Sequence, residues 1–268
     1  MKLRAITMNT FSGLVRNKII ILFCVGCVCV LLLMLSTLLV IRNARNMANA
    51  EQMQAAVLPL IGSMMSMVSG FGSLLAAWSA ADALSSEMRS GTILAVLARP
   101  VRRWEFLLGK YLGVQLLMLV FVVIMVGLNY TLAWIGGAHI QSPVWELILY
   151  PLVRYSLFSA LGLALATMMH PILAFCVVLF MSIAAQIVSP SAINGATFLP
   201  VWLKDGLFYF LPSTTLLDET RFLTITRATL QAATWSEHVL SLTYGLDYAL
   251  VCFLIAAWIF HSRSLSRD

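Results

Sequence analysis

The run Ile19–Ile41, IIILFCVGCVCVLLLMLSTLLVI, is 23 residues long and carries no charged side chain. As a helix it would rise about 35 Å, enough to cross a hydrocarbon layer of roughly 30 Å. Water is absent there, so every backbone N–H and C=O must be paired inside the segment or in a closed barrel. The apolar residues run continuously instead of alternating with a period of two, which selects helices over a barrel. A run of this length also exceeds a signal-peptide core, and no small-residue cleavage site follows it.

The rest of the chain repeats the pattern. Of the 268 residues 61% are hydrophobic and only 10% charged, against about 25% charged in an ordinary soluble domain. Five further apolar segments follow: Leu58–Ala81, Tyr111–Ile135, Leu147–Met169, Ile172–Val188 and Thr243–Phe260. Ile172–Val188 is set off from the segment before it by His170-Pro171. The expected fold is an all-α polytopic membrane protein, one transmembrane domain over 1–268 with six transmembrane helices.

An even number of spans puts both termini on one side. That side collects Lys2, Arg4, Arg16, Lys18, Arg89, Arg99, Arg102, Arg103, Lys110, Arg263 and Arg267, and the other only Arg42, Arg45, Lys204, Arg221 and Arg227. Basic residues gather in cytoplasmic loops, so both termini are predicted to be cytoplasmic. The net charge of +6 then reflects orientation, and no nucleic acid partner is expected. Residues Met1–Lys18 read as an interfacial helix, with Leu3, Met8, Phe11, Leu14 and Val15 on one side and Lys2, Asn9, Ser12 and Arg16 on the other. On the opposite side of the membrane, Ser189–Leu242 is the longest loop, with a helix expected over Thr214–Leu240.

One stretch is at odds with its apolar surroundings. EMRSGTILAVLARPVRRWEFLLGK, Glu87 to Lys110, gathers five basic residues around a six-residue apolar run, Ile93–Ala98, which Arg99-Pro100 then stops. A topology anchor needs basic charge but no short apolar helix ended by proline. A helix that docks on a protein partner needs both. The positions Glu87, Gly91, Thr92, Leu97, Pro100, Arg103, Leu108, Gly109 and Lys110 resemble the cytoplasmic loop of type-2 ABC transporter permeases. Within that family it resembles the branch of the nitrous-oxide-reductase maturation and gliding-motility permeases. Outside this loop the resemblance extends loosely over nearly the whole chain.

The resemblance implies that 82–110 is a coupling loop carrying a coupling helix. It would seat in a groove on a separate ABC ATPase, through Glu87, Arg89, Gly91, Thr92, Pro100 and Arg103. Two permease copies, as a homodimer or heterodimer, and two ATPase subunits would form an exporter in a bacterial inner membrane. ATP and Mg would belong to the ATPase, because this chain has no GxxxxGK[ST] loop: Gly109-Lys110 is followed by Tyr111. Two other classes remain open at this stage. One is an ATPase-linked membrane protein that passes motion to an extracytoplasmic complex without transport. The other is an ATP-independent secondary transporter.

Within the spans, Arg154 and Asp247 are the charges placed deepest. At about 1.5 Å per residue they lie roughly 10 and 6 Å inside the same face, so an intramembrane ion pair is expected between them, with a substrate-facing arginine or snorkelling as alternatives. Ser63, Ser66, Ser69 and Ser73 form a stripe on the second span that either lines a path or packs against a helix. Cys24, Cys27 and Cys29, with Met64, Met65 and Met67, are soft donors of a kind that suits copper, but helix packing accounts for them equally and no metal site is expected. No HExxH or serine elbow occurs, so no catalytic residue is expected.

Overall fold

The computed structural model describes residues 2–43, 50–90, 102–136, 144–187, 200, 211–213, 216–217 and 235–262. These form seven α-helices: α1 (Lys2–Val15), α2 (Lys18–Asn43), α3 (Ala50–Ser90), α4 (Arg103–Gly136), α5 (Val144–Met168), α6 (Pro171–Ile187) and α7 (Trp235–Ser262). The described residues contain no strand.

Four helices are individually long and apolar enough to cross a membrane: Gly62–Glu87 within α3, Arg103–Leu132 within α4, and all of α5 and α7. A fifth crossing arises if α1 and α2, bent by 63° at their junction, are taken together. The chain is therefore a multi-pass α-helical membrane protein. The sixth expected crossing falls on α6, whose 17 residues rise only about 25 Å, at the short limit for a span.

Helix ends follow local chemistry more than hydropathy. The α1–α2 corner is at Asn17, whose Oδ1 accepts from the Ile19 N–H at 3.0 Å and caps α2. Helix α3 runs to 41 residues, well past Leu58–Ala81 at both ends, because its flanks are polar residues that propagate a helix without needing lipid. At the start of α4, Glu105 Oε2 accepts from the Arg102 N–H at 3.2 Å, the reach-back half of a capping box. Between α5 and α6, His170 Nδ1 accepts from the Ile172 N–H at 3.4 Å and Pro171 opens α6. Helix α7 begins at Trp235 and passes without a break through Leu240 and Thr243. Of the helix expected over Thr214–Leu240, residues 214–215 and 218–234 lie outside the described residues, and 235–240 is continuous with the segment that starts at Thr243. No proline or glycine interrupts that stretch, and Thr243 satisfies its own hydroxyl on the Val239 carbonyl at 2.7 Å.

Helix α5 is the core, with α3 on one side, α7 on another and α4 beside it. Small residues permit the approach: Ala76, Ala77, Ala80 and Ala81 of α3 and Ser159 and Ala160 of α5 are fully buried. A Cβ on Gly162 would stand 2.6 Å from the Ala77 carbonyl oxygen and 3.0 Å from its Cα, so backbone meets backbone there. Gly162→Ala is expected to lower stability by about 1–3 kcal/mol, the usual cost of overpacking, seen as an earlier unfolding midpoint in detergent. Gly127→Ala, with nothing within 4 Å of its Cβ, should leave the midpoint unchanged or slightly raised.

Candidate functional site

At the end of the bundle where α3 stops and α4 starts, four helices are tied by polar groups. Lys110 is 3% exposed and its Nζ donates to Glu87 Oε1, joining α4 to the last turn of α3. The same ammonium lies 5.6 Å from the centroid of the Phe106 ring, a favourable cation–π contact when desolvated. Phe106 in turn stacks on Phe260 of α7 at 6.1 Å and 19°. Arg103 Nη1 donates to the carbonyls of Phe260 and His261, at 3.4 and 3.0 Å. Those carbonyls belong to the last turn of α7, where they lack helical partners and where a cation is favoured. At 100° per residue Arg103, Phe106 and Lys110 share one face of α4.

The adjoining face of α4 receives α1. Cβ atoms on Gly109 and Gly113 would stand 2.7 Å from Ile6 Cγ2 and 2.7 Å from Thr10 Cβ, so this glycine pair accommodates the N-terminal helix. Of the side expected to be apolar, Leu14 is buried and Leu3 and Phe11 are half-buried beside Ile6 and the buried Thr10, while Met8 and Val15 are 52% and 46% exposed. The α1–α2 corner is pinned to α3 by Asn17 Nδ2, which donates to Asp82 Oδ2 at 2.7 Å.

Glu87 and Arg103, two residues expected to meet an ATPase, are therefore engaged within the chain. Arg89 lies in α3, and its side chain is outside the described residues, as are Gly91, Thr92 and Pro100.

The intramembrane charges are not brought together. Arg154 is 4% exposed and its Nη1 donates to Ser69 Oγ at 3.3 Å, whereas Asp247 is on the exposed side of α7 beside Leu246 and Leu250. The serine stripe divides as well: Ser63 and Ser66 are exposed, Ser69 and Ser73 buried. Steps of three residues drift by about 60° around a helix, which carries the stripe from the outer surface into the α5 contact. Near Arg154, Ser69, Asn129 and Tyr155 line a cavity of about 20 Å³, room for about one water.

Sequence reading missed a cluster at the other end of the bundle. Tyr150 Oη and His238 Nδ1 are 2.5 Å apart, and His238 Nε2 is 3.8 Å from Glu146 Oε1. Trp145 and Trp235 stack beside them at 6.2 Å and 4°. The group ties the first turns of α5 and α7. No local pattern marks it in the sequence, because 88 residues separate Tyr150 from His238.

The arrangement is that of a polytopic helical subunit with a helix-bounded loop at one end and no nucleotide-binding motif of its own. Residues 4–265 match the family described as ABC-2 family transporter protein, and the chain belongs to that family. No curated protein matches it significantly.

Asp247→Asn is expected to shift unfolding by no more than about 0.5 kcal/mol, as for an exposed position. Arg154→Met should be neutral or stabilising, because replacing a buried charge by an apolar side chain of similar volume removes its desolvation cost. Thermal unfolding in detergent checks both. A large loss with Asp247→Asn, matched by Arg154→Met, would restore the ion pair.

Proposed function

We propose that this chain is the membrane-spanning permease subunit of an ATP-driven ABC exporter, energised by a separate ABC ATPase that engages the 82–110 region. The observation that carries this reading is family membership over nearly the whole chain, together with the two long helices α3 and α4 that frame residues 91–101. A helix pair continuous from this loop through the apolar layer can carry a displacement across it, which a floppy basic anchor cannot. The coupling helix is assigned to the apolar run Ile93–Ala98, with Arg89, Gly91, Thr92 and Pro100 around it and Glu87 and Arg103 at its base.

In this reading the α3–α4 end is cytoplasmic, as are both termini, and the protein resides in a bacterial inner membrane. Two permease copies and two ATPases make the working unit, and ATP and Mg are bound by the ATPase. Helix α6 completes a sixth crossing, and Ser63 and Ser66, exposed on α3, are assigned to a path between copies. The His238 cluster closes the far end of α5 and α7.

The test is co-purification with the ABC ATPase encoded nearest to it. Wild-type chain is expected to retain the ATPase in detergent, and replacement of residues 93–97 by a Gly-Ser segment to reduce recovery at least tenfold while the permease stays monodisperse. A stable wild-type chain that captures no ATPase would move an ATP-independent transporter to the front.

A further inference from the structure

The contacts at the base of the loop point to a division of labour within the 82–110 motif, one that rests on the reading that an ATPase acts on this loop. We infer that Glu87, Arg103 and Lys110 are positioning residues that bind the loop base to α7. The ATPase stroke then enters α4 and α7 as one body.

Three observations converge. Glu87 and Lys110 stand at the two ends of the loop and bond to each other, so the ends of α3 and α4 cannot splay without breaking a charge-assisted contact. Lys110 is 3% exposed, and a buried cation separated from its partner loses far more than a surface one. The contact is therefore stiff where an exposed pair would yield. Finally, the face of α4 that carries Lys110 also carries Phe106 and Arg103, which hold Phe260 and the terminal carbonyls of α7. A displacement at the loop therefore meets three helices linked by side chains, with α7 the most distant in sequence.

This arrangement gives Glu87 and Arg103 a role that does not require the ATPase to touch them. Docking specificity is left to the remainder of the loop, and these residues decide how much of the stroke reaches the bundle. Phe106, only 1% exposed, fills the space between the Lys110 ammonium and the Phe260 ring, so a smaller side chain there would introduce slack with no change of charge.

The experiment uses the full chain with its ATPase in lipid nanodiscs. It compares wild type, Lys110→Met, Glu87→Gln, the exchange Glu87→Lys with Lys110→Glu, and Phe106→Ala. Capture of the ATPase is measured first. Hydrogen exchange over residues 256–262 is then followed with and without ATP and vanadate. Every variant is expected to retain the ATPase within twofold of wild type. The nucleotide-dependent change in exchange should fall at least threefold in the two charge-neutralised variants and in Phe106→Ala, and recover by at least half in the exchange variant. A static structural role would alter baseline exchange but not remove its nucleotide dependence.

Loss of ATPase capture in Glu87→Gln without rescue by the exchange would overturn the inference and return Glu87 to the docking surface. An unchanged nucleotide response in all variants would also overturn it. Failure of the exporter reading is separable, because wild type itself would then capture no ATPase. In that event unfolding midpoints still decide whether the clamp holds α3 to α4. Recovery by the exchange variant upholds it and no recovery refutes it.

Discussion

Helices in lipid cannot rely on burying apolar surface from water, since the tails around them are as apolar as their own side chains. What holds them is close packing and hydrogen bonds between them. In this chain the constraint is met at α5, where Gly162 brings backbone against Ala77 of α3. Beside it, Gln115 Nε2 of α4 donates to Ser159 Oγ at 2.6 Å and Tyr111 Oη bonds Ser156. Gly245 lets α7 approach Val153 in the same way. With α5 fixed on three sides, the remaining helices take their positions from it, and α2 and α6 are left with large apolar residues outward, such as Leu33 at 69% and Phe180 at 73% exposure.

The middle of the bundle is thus held by small residues and neutral hydrogen bonds, and its two ends by charged and imidazole groups. At one end Lys110, Glu87 and Arg103 connect α4 to α3 and α7. At the other, His238 with Tyr150 and Glu146 connects α7 to α5. The distribution has a physical reason. A charged or imidazole group near a helix end can meet orphan backbone groups and be partly solvated, while at mid-depth the same group has neither recourse. Arg154 is the exception, and its Nη1 donates to the Ser69 hydroxyl.

The multi-pass helical class was legible because the signal is cumulative: Ile19–Ile41 reads as a helix from composition alone, and α2 covers Lys18–Asn43. Helix ends were not, since hydropathy marks depth and not helicity. The 41 residues of α3 include polar turns that a hydropathy profile counts as loop. Rotation about the helix axis was also hidden. Depth placed Arg154 and Asp247 at similar levels, but Asp247 is on the outward side of α7, a fact set by which face of α7 meets α5. The outward turn of Met8 and Val15 in α1 was hidden for a related reason, because the contact that sets the rotation of α1, at Gly109 and Gly113, lies about a hundred residues away. Within 82–110, sequence singled out Glu87, Arg103 and Lys110 as residues of one motif, but not that they bond to groups of this same chain.

That last distinction changes how the motif's spacing is understood. If Glu87 and Lys110 were both surface contacts to an external protein, the separation between them would be set by the partner's groove. Their mutual bond sets it instead by closure: the chain leaves α3, makes an excursion over residues 91–101 and must return Lys110 to the carboxylate it left behind. Gly109, one residue earlier, has to face α1 at the same time, and Arg103 has to reach the end of α7. A one-residue insertion after Arg103 would rotate everything behind it by about 100°, turning Lys110 away from Glu87 and the glycine face away from Ile6 and Thr10. The fixed interval from Arg103 to Lys110 is therefore a requirement of three helix contacts made at once, and the freedom to vary lies in the excursion between them.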